Sequence, residues 1–231
     1  MRLILLDPDQ PNQAFPPTST ALKDPNGLLA AGGCLSTTRL LNAYRHGIFP
    51  WYSDDEPILW WSPDPRLVLF PEQLNVSQSL RKTLKKQKYT VTIDQAFTQV
   101  ITACAQPRQA ESGTWITDDI ENAYSALHKL GVAHSAEAWL DGVLVGGLYG
   151  VAIGQVFFGE SMFHTATDAS KVAFATLVDK LKSWDYKLID CQVHSAHLAS
   201  LGAVEIDRTE FNRLIKQYGE QPAQPHAWQN R

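Results

Sequence analysis

Three polar side chains stand out in two largely apolar runs: Glu160 in the run from Gln155 to Ser161, and Asp190 with Gln192 in the run from Tyr186 to Val193. In an extended chain successive side chains point to opposite faces, so Leu188, Asp190 and Gln192 share one face and Ile189, Cys191 and Val193 the other. By the same rule Phe158, Glu160 and Met162 share a face of the earlier run. If the two runs are neighbouring strands, two carboxylates and a carboxamide converge beside apolar side chains. A free Asp, with a pKa of about 3.9, is a weak base unless burial raises it. Together the three residues outline a site.

These residues need strands and a helix to hold them. Alternating runs Ser135 to Leu140 and Val143 to Ala152 are joined by Asp141-Gly142, a pair suited to the positive φ angles of a tight hairpin. A helix follows the Glu160 run, with Thr167 expected as its N-cap and Phe174, Leu177, Val178 and Leu181 on one face. The strand holding Asp190 and Gln192 closes the unit. Upstream, Arg66 to Phe70 reads as a first strand, and a helix, a strand near Tyr89 to Ile93 and two more helices follow it. The second of those two is opened by Thr117-Asp118-Asp119 and closed by Gly131. Downstream come a short helix from His197 to Leu201, a strand from Ala203 to Ile206, a last helix capped by Thr209, and a polar tail from Gly219 that is expected to be mobile. Residues 1–65, rich in Pro, Gly and aromatic residues, read as a smaller N-terminal unit with one helix capped by Thr37 or Thr38, and 66–231 as a second domain.

At 231 residues and 44% hydrophobic content the chain can bury an ordinary core. Cys34, Cys104 and Cys191 have neither CxxC spacing nor even pairing, so no disulfide framework or zinc site is expected. His194 and His197 are three apart near Asp190 and Cys191, but further ligands are not obvious, and no metal is expected. The first ten residues hold an apolar run too short for a signal peptide or membrane span. A reducing cytoplasm is the expected location. No P-loop, GxGxxG, HExxH or GxSxG motif is present, so ATP, nicotinamide and zinc chemistry lack support. A net charge of −4 disfavours unselective coating of nucleic acid. Locally the balance reverses: Arg81, Lys82, Lys85, Lys86 and Lys88 fall on a helix expected from Ser77 to Lys88, without interleaved acids.

An antiparallel meander, then helix, strand, short helix and strand, is the order of an acyl-CoA-type N-acyltransferase. The fold class is therefore α/β (α+β), with a mixed sheet in the C-terminal domain and a smaller N-terminal domain; this is fold-level analogy. Acetyl-CoA users place a glycine-containing loop at the start of the long helix to cradle a pyrophosphate. Here the segment from Met162 to Ala169 has no glycine and carries Asp168, so coenzyme A is a poor fit and no cofactor is expected.

Several longer blocks carry a specific resemblance. Gly27 to Ala30 (GLLA), Tyr44 to Trp51 (YRHGIFPW), Leu59 to Arg66 (LWWSPDPR), Phe158 to Phe163 (FGESMF), Leu188 to Gln192 (LIDCQ) and His197 to Ala203 (HLASLGA) resemble the leucyl/phenylalanyl-tRNA protein transferase family, from about Gly27 to Tyr218. The resemblance implies transfer of Leu or Phe from leucyl-tRNA or phenylalanyl-tRNA to proteins with N-terminal Arg or Lys, marking them for degradation, by a protein expected to be monomeric.

It also implies roles. Asp190 and Gln192 carry the transfer step, with Asp190 orienting Gln192, and Glu160 meets the basic N-terminal residue of the acceptor. Met162, Phe174, Leu177 and Ile189 surround the transferred side chain, although pattern alone would make each of them plain core. Tyr44, Trp51 and Trp115 stack or pack on the terminal adenosine, an interaction typically worth about 1 to 3 kcal/mol per base. Arg81, Lys82, Lys85, Lys86 and Lys88 meet tRNA phosphates. Thr165 stands where the family is expected to have a basic residue, so no phosphate contact is assigned there.

Overall fold

The computed structural model describes residues 3–109 and 116–229. In chain order the elements are β1 (Ile4–Leu6), β2 (Leu28–Gly32), α1 (Thr37–Arg45), β3 (Phe49–Pro50), β4 (Leu59–Trp61), β5 (Arg66–Leu69), α2 (Gln78–Lys85), β6 (Thr90–Ile93), α3 (Phe97–Gln109) and α4 (Asp118–Lys129). They continue with β7 (Ala133–Leu140), β8 (Val143–Ile153), β9 (Val156–His164), α5 (Ala169–Ser183), β10 (Leu188–Gln192), α6 (Ala196–Ser200), β11 (Val204–Ile206) and α7 (Arg208–Tyr218). The strands form a four-stranded sheet in the order β1-β2-β4-β3 and a seven-stranded sheet in the order β11-β5-β10-β9-β8-β7-β6. Within the larger sheet β9 and β10 run parallel, and every other pairing is antiparallel. The chain passes from one sheet to the other between Trp61 and Arg66.

Alternation sends the two faces of the large sheet into different cores. Val68, Tyr149, Val151, Phe158 and Leu188 pack with α3, α4, α7 and the aromatic N-terminal elements, including Trp60 and Tyr44. Leu67, Leu69, Leu148, Phe157, Ile189 and Cys191 pack with Leu80 of α2 and the apolar face of α5, including Phe174, Leu177, Val178 and Leu181. The hairpin between β7 and β8 turns at Asp141-Gly142, where both residues have positive φ (50° and 78°) as the pair requires.

Several boundaries differ from expectation, each for a local reason. Ser36, not Thr37 or Thr38, caps α1, its hydroxyl accepting from the Arg39 amide. Asp168, not Thr167, precedes α5, in a left-handed conformation at φ 64° and without a side-chain cap. The Thr167 carbonyl accepts from the Tyr89 hydroxyl instead (2.7 Å). The start of α5 lies against Gly146 of β8, where a Cβ would sit 2.7 Å from that of Ala169. Asp207, not Thr209, occupies the N-cap position of α7. Helix α2 ends at Lys85 and the chain turns at Gln87 (φ 48°), so Lys88 lies beyond the helix and over the ring of Tyr89.

The polar tail is not loose. Trp228 is 8% exposed and its indole stacks on the His134 ring at 3.8 Å, while Nε1 donates to the Tyr186 hydroxyl (2.7 Å). One aromatic residue ten positions beyond α7 anchors a segment whose composition reads as solvent-facing.

Candidate active site

Strands β9 and β10 carry the three polar residues, and each is interrupted by an irregularity at the same level. Between β8 and β9 the register steps from Tyr149↔Ser161 to Gly150↔Gly159, which leaves Glu160 as the extra residue of a β-bulge. Between β5 and β10 it steps from Asp190↔Val68 to Gln192↔Leu67, leaving Cys191 extra. A bulge re-aims a side chain and shifts the alternation beyond it. The expected common face of Phe158, Glu160 and Met162 is therefore corrected. Glu160 turns toward the Phe158 side, and Met162 packs on the opposite side with the α5 core. In β10 the expected faces hold for Leu188, Asp190, Ile189 and Cys191, whereas Val193 lies past the strand end and is exposed.

Asp190 is fully buried and held in a two-pronged ion pair by Arg66 at the start of β5. Nε donates to Oδ1 (2.8 Å) and Nη2 to Oδ2 (2.6 Å). The guanidinium is itself fixed: Nη1 donates to the Gly47 carbonyl (3.1 Å), and the rings of Phe49 and Phe211 lie at 4.8 and 4.5 Å from its carbon. Gly47 has φ 71°, and a Cβ there would approach the Phe211 ring to 2.7 Å, so this position admits only glycine without rearrangement. Asp190 Oδ1 also accepts from the backbone amide of Gln192 (3.0 Å), which pins the turn where Gln192 adopts φ 59°. Asp190 thus orients Gln192 through the backbone. Both of its oxygens are occupied, by Arg66 and by the Gln192 amide.

From that turn Gln192 Nε2 donates to Glu160 Oε1 (3.2 Å). Two phenols complete the set: the Tyr44 hydroxyl donates to Oε1 (2.7 Å), the Tyr124 hydroxyl donates to Oε2 (3.2 Å), and the two hydroxyls also contact each other. Burial raises the Glu160 pKa to about 7, and Asp190 pushes in the same direction, against the hydrogen bonds from Tyr44 and Tyr124 and the charge of Arg66. Both tyrosines are held well above the usual phenol value, burial first and the Glu160 charge second.

The remaining expected site residues divide. Tyr44 is 1% exposed, with its ring against Phe158 and its hydroxyl on Glu160, so it does not present the free face that stacking on adenosine requires. Trp51 is 44% exposed and keeps such a face beside Trp61. Trp115 lies outside the described residues. Met162 lines an open groove of about 690 Å3 with His164, Thr165, Thr167, Ser170 and His197, while Phe174, Leu177 and Ile189 are buried in the core that Met162 packs against. A larger cavity of about 820 Å3, walled by Phe15, Pro16, Tyr44, Phe158, Asn212 and Ile215, holds none of Glu160, Asp190 and Gln192. Arg81, Lys82, Lys85, Lys86 and Lys88 are exposed, and none is in an ion pair with a described residue. His194 pairs with Glu205 (3.3 Å), and no group of three His, Cys, Asp or Glu side chains suited to a metal ion exists among the described residues. Among those residues no helix is long and apolar enough to cross a membrane.

Sequence reasoning missed Arg66 and Tyr124. Arg66 was visible as a lone cation heading an apolar alternating strand, and Tyr124 as the one member of an apolar helix stripe with a polar tip.

Comparison with known proteins places the chain among relatives of one kind. Residues 68–216 match the family described as leucyl/phenylalanyl-tRNA protein transferase, and residues 33–64 match the N-terminal domain of the same family. A leucyl/phenylalanyl-tRNA–protein transferase of Methylococcus capsulatus is 59% identical over 228 residues, covering 99% of this chain and 97% of the relative. One of Nitrosomonas europaea is 58% identical over 214 residues, covering 93% of this chain and 91% of the relative. Among solved structures FemX superimposes with a TM-score of 0.51 at 12% identity, over 78% of this chain and 71% of FemX, a likeness of fold alone.

Proposed function

The chain belongs to the leucyl/phenylalanyl-tRNA protein transferase family and is an aminoacyltransferase, and from that premise we propose that it moves Leu or Phe from leucyl-tRNA or phenylalanyl-tRNA to the α-amino group of proteins beginning with Arg or Lys, marking them for degradation. The observation that supports the reading best is the meeting of Gln192 and Glu160, 3.2 Å apart, in front of the buried Arg66–Asp190 pair.

An aminoacyl ester is already activated, so peptide transfer asks for alignment and for removal of a proton from the attacking amine. An α-amino group has a pKa of about 7.7 to 8, and a useful neutral fraction exists near pH 7. In this reading Gln192 hydrogen-bonds the amine and aims it at the ester carbon, Asp190 holds Gln192, and Glu160 meets the basic N-terminal residue of the acceptor. Met162 borders the transferred side chain, with Phe174, Leu177 and Ile189 behind it. Such an apolar pocket separates side chains by about 1 to 3 kcal/mol per methylene. Trp51 offers a stacking face to the terminal adenosine. Arg81, Lys82, Lys85, Lys86 and Lys88 meet tRNA phosphates, which reconciles an acidic chain with an RNA substrate. The protein works as a cytoplasmic monomer, with the division between its N-terminal unit (1–65) and its catalytic domain (66–231) at the change of sheet.

The deciding assay mixes purified protein, charged leucyl-tRNA and a peptide beginning with Arg, and follows labelled Leu. Transfer to that peptide, and not to one beginning with Asp, is expected. No transfer, or equal transfer to both, sinks the reading.

A further inference from the structure

We propose that Glu160 is the proton shuttle of the transfer step, and that the hydroxyls of Tyr44 and Tyr124 are the positioning residues that hold and tune its carboxylate. The inference rests on the function proposed above and adds where the proton goes: Glu160 meets the acceptor's first residue at its α-amino group.

When a neutral amine attacks the ester, a nitrogen–carbon bond forms and the bond from carbon to the ribosyl oxygen breaks. The nitrogen must lose one proton, and the departing oxygen must gain one. The carboxamide of Gln192 can accept a hydrogen bond from the amine but is no proton acceptor at neutral pH. Asp190 is closed off, since Oδ1 accepts from Arg66 and the Gln192 amide and Oδ2 accepts from Arg66. Glu160 is the carboxylate left at the site. Gln192 donates Nε2 to Glu160 Oε1 (3.2 Å), and this fixes its amide so that its own oxygen is free for the amine. The proton passes from the nitrogen to Glu160 and from Glu160 to the ribosyl oxygen, and the carboxylate ends as it began.

The tyrosine pair suits this cycle. Each hydroxyl reaches one carboxylate oxygen and each reaches the other, so donors can rotate between partners as Glu160 gains and loses its proton. Both phenols stay protonated, being held well above their usual value, chiefly by burial. The charged groups that act on Glu160 are Asp190 from β10, which raises its pKa, and Arg66 from β5, which lowers it; burial outweighs them and leaves the group at about 7, where it can give and take protons near neutral pH.

The test is single-turnover transfer as a function of pH, at saturating leucyl-tRNA and saturating Arg-peptide. Glu160→Gln is expected to lower the rate by about 100-fold or more, the usual contribution of a positioned acid–base group. Tyr44→Phe removes a donor that stabilises the carboxylate, so the acidic limb of the profile should move to higher pH while the Kd values for tRNA and peptide stay as they were. Tyr124→Phe gives an independent variant with the same expected direction. The acceptor amine also titrates in this region, but its ionisation does not respond to either tyrosine. The proposal is overturned if the limb stays in place in both tyrosine variants, or if raising the peptide concentration restores Glu160→Gln to the wild-type rate. Absence of transfer by the wild-type protein would instead refute the function on which the proposal rests.

Discussion

Arg66 and Asp190 face each other from neighbouring strands in a buried ion pair with two contacts, Nε to Oδ1 at 2.8 Å and Nη2 to Oδ2 at 2.6 Å. The pair ties the first strand after the change of sheet to the strand that ends in Gln192. Removing either partner alone strands a charge away from water, which typically costs about 3–5 kcal/mol. Arg66→Met and Asp190→Asn should each lose stability on that scale in urea unfolding. The double variant Arg66→Met with Asp190→Leu should recover much of it and yet remain inactive, because the Gln192 amide then has no acceptor. A double variant that is both stable and fully active would show that Asp190 does not position Gln192.

In the proposed mechanism Gln192 bears on the reacting nitrogen rather than on the donor. For Gln192→Ala we expect the transfer rate at saturating substrates to fall by about 100-fold, the order seen when one aligned hydrogen-bonding group is removed from an active site. Leucyl-tRNA affinity should stay near wild type. Weaker tRNA binding with an unchanged rate would move Gln192 to a binding role.

The cations of α2 and the turn after it are exposed and carry no fold-stabilising ion pair with a described residue, so their removal should cost affinity and little stability. Lys85→Ala with Lys86→Ala should weaken tRNA binding and reduce the slope of log K against log salt by about one for each phosphate that is no longer neutralised. Binding titrations across a salt series read this directly, and a slope equal to that of the wild type counts against the assignment.

Trp228 gives the C-terminal tail a structural task. Truncating a buried indole typically costs about 3–5 kcal/mol, and here the change also strips the stacked cover from His134 and a hydrogen bond from Tyr186. Trp228→Ala should lower Tm markedly while leaving transfer intact at temperatures where the protein stays folded. Unaltered unfolding would mean that the tail contributes nothing to the sheet it lies on.

How much of this was legible in the chain itself depends on the range of the interaction. Periodicity placed the meander, the apolar face of α5 and the strands carrying Glu160, Asp190 and Gln192, because alternation and helical spacing are properties of consecutive residues. The blocks around those residues carried the family resemblance, which the comparisons bear out. Only the tertiary structure decided which groups meet. The bulge at Glu160 left that side chain on the Phe158 side and moved Met162 beyond it to the opposite face, a consequence of pairing between β8 and β9 rather than of composition. Arg66 met Asp190 from 124 positions away and Tyr44 met Glu160 from 116, and neither interaction has a signature within a local window. The tail that composition marks as mobile is held by the Trp228 indole in a recess built by residues from distant elements, and by hydrogen bonds from Gln155 to the Pro222 carbonyl and from Gln224 to the Trp184 carbonyl. Local backbone and hydrophobic preferences are written along the chain. Hydrogen-bond partners, burial and the pKa they impose on Glu160 exist only once the sheets have closed around them.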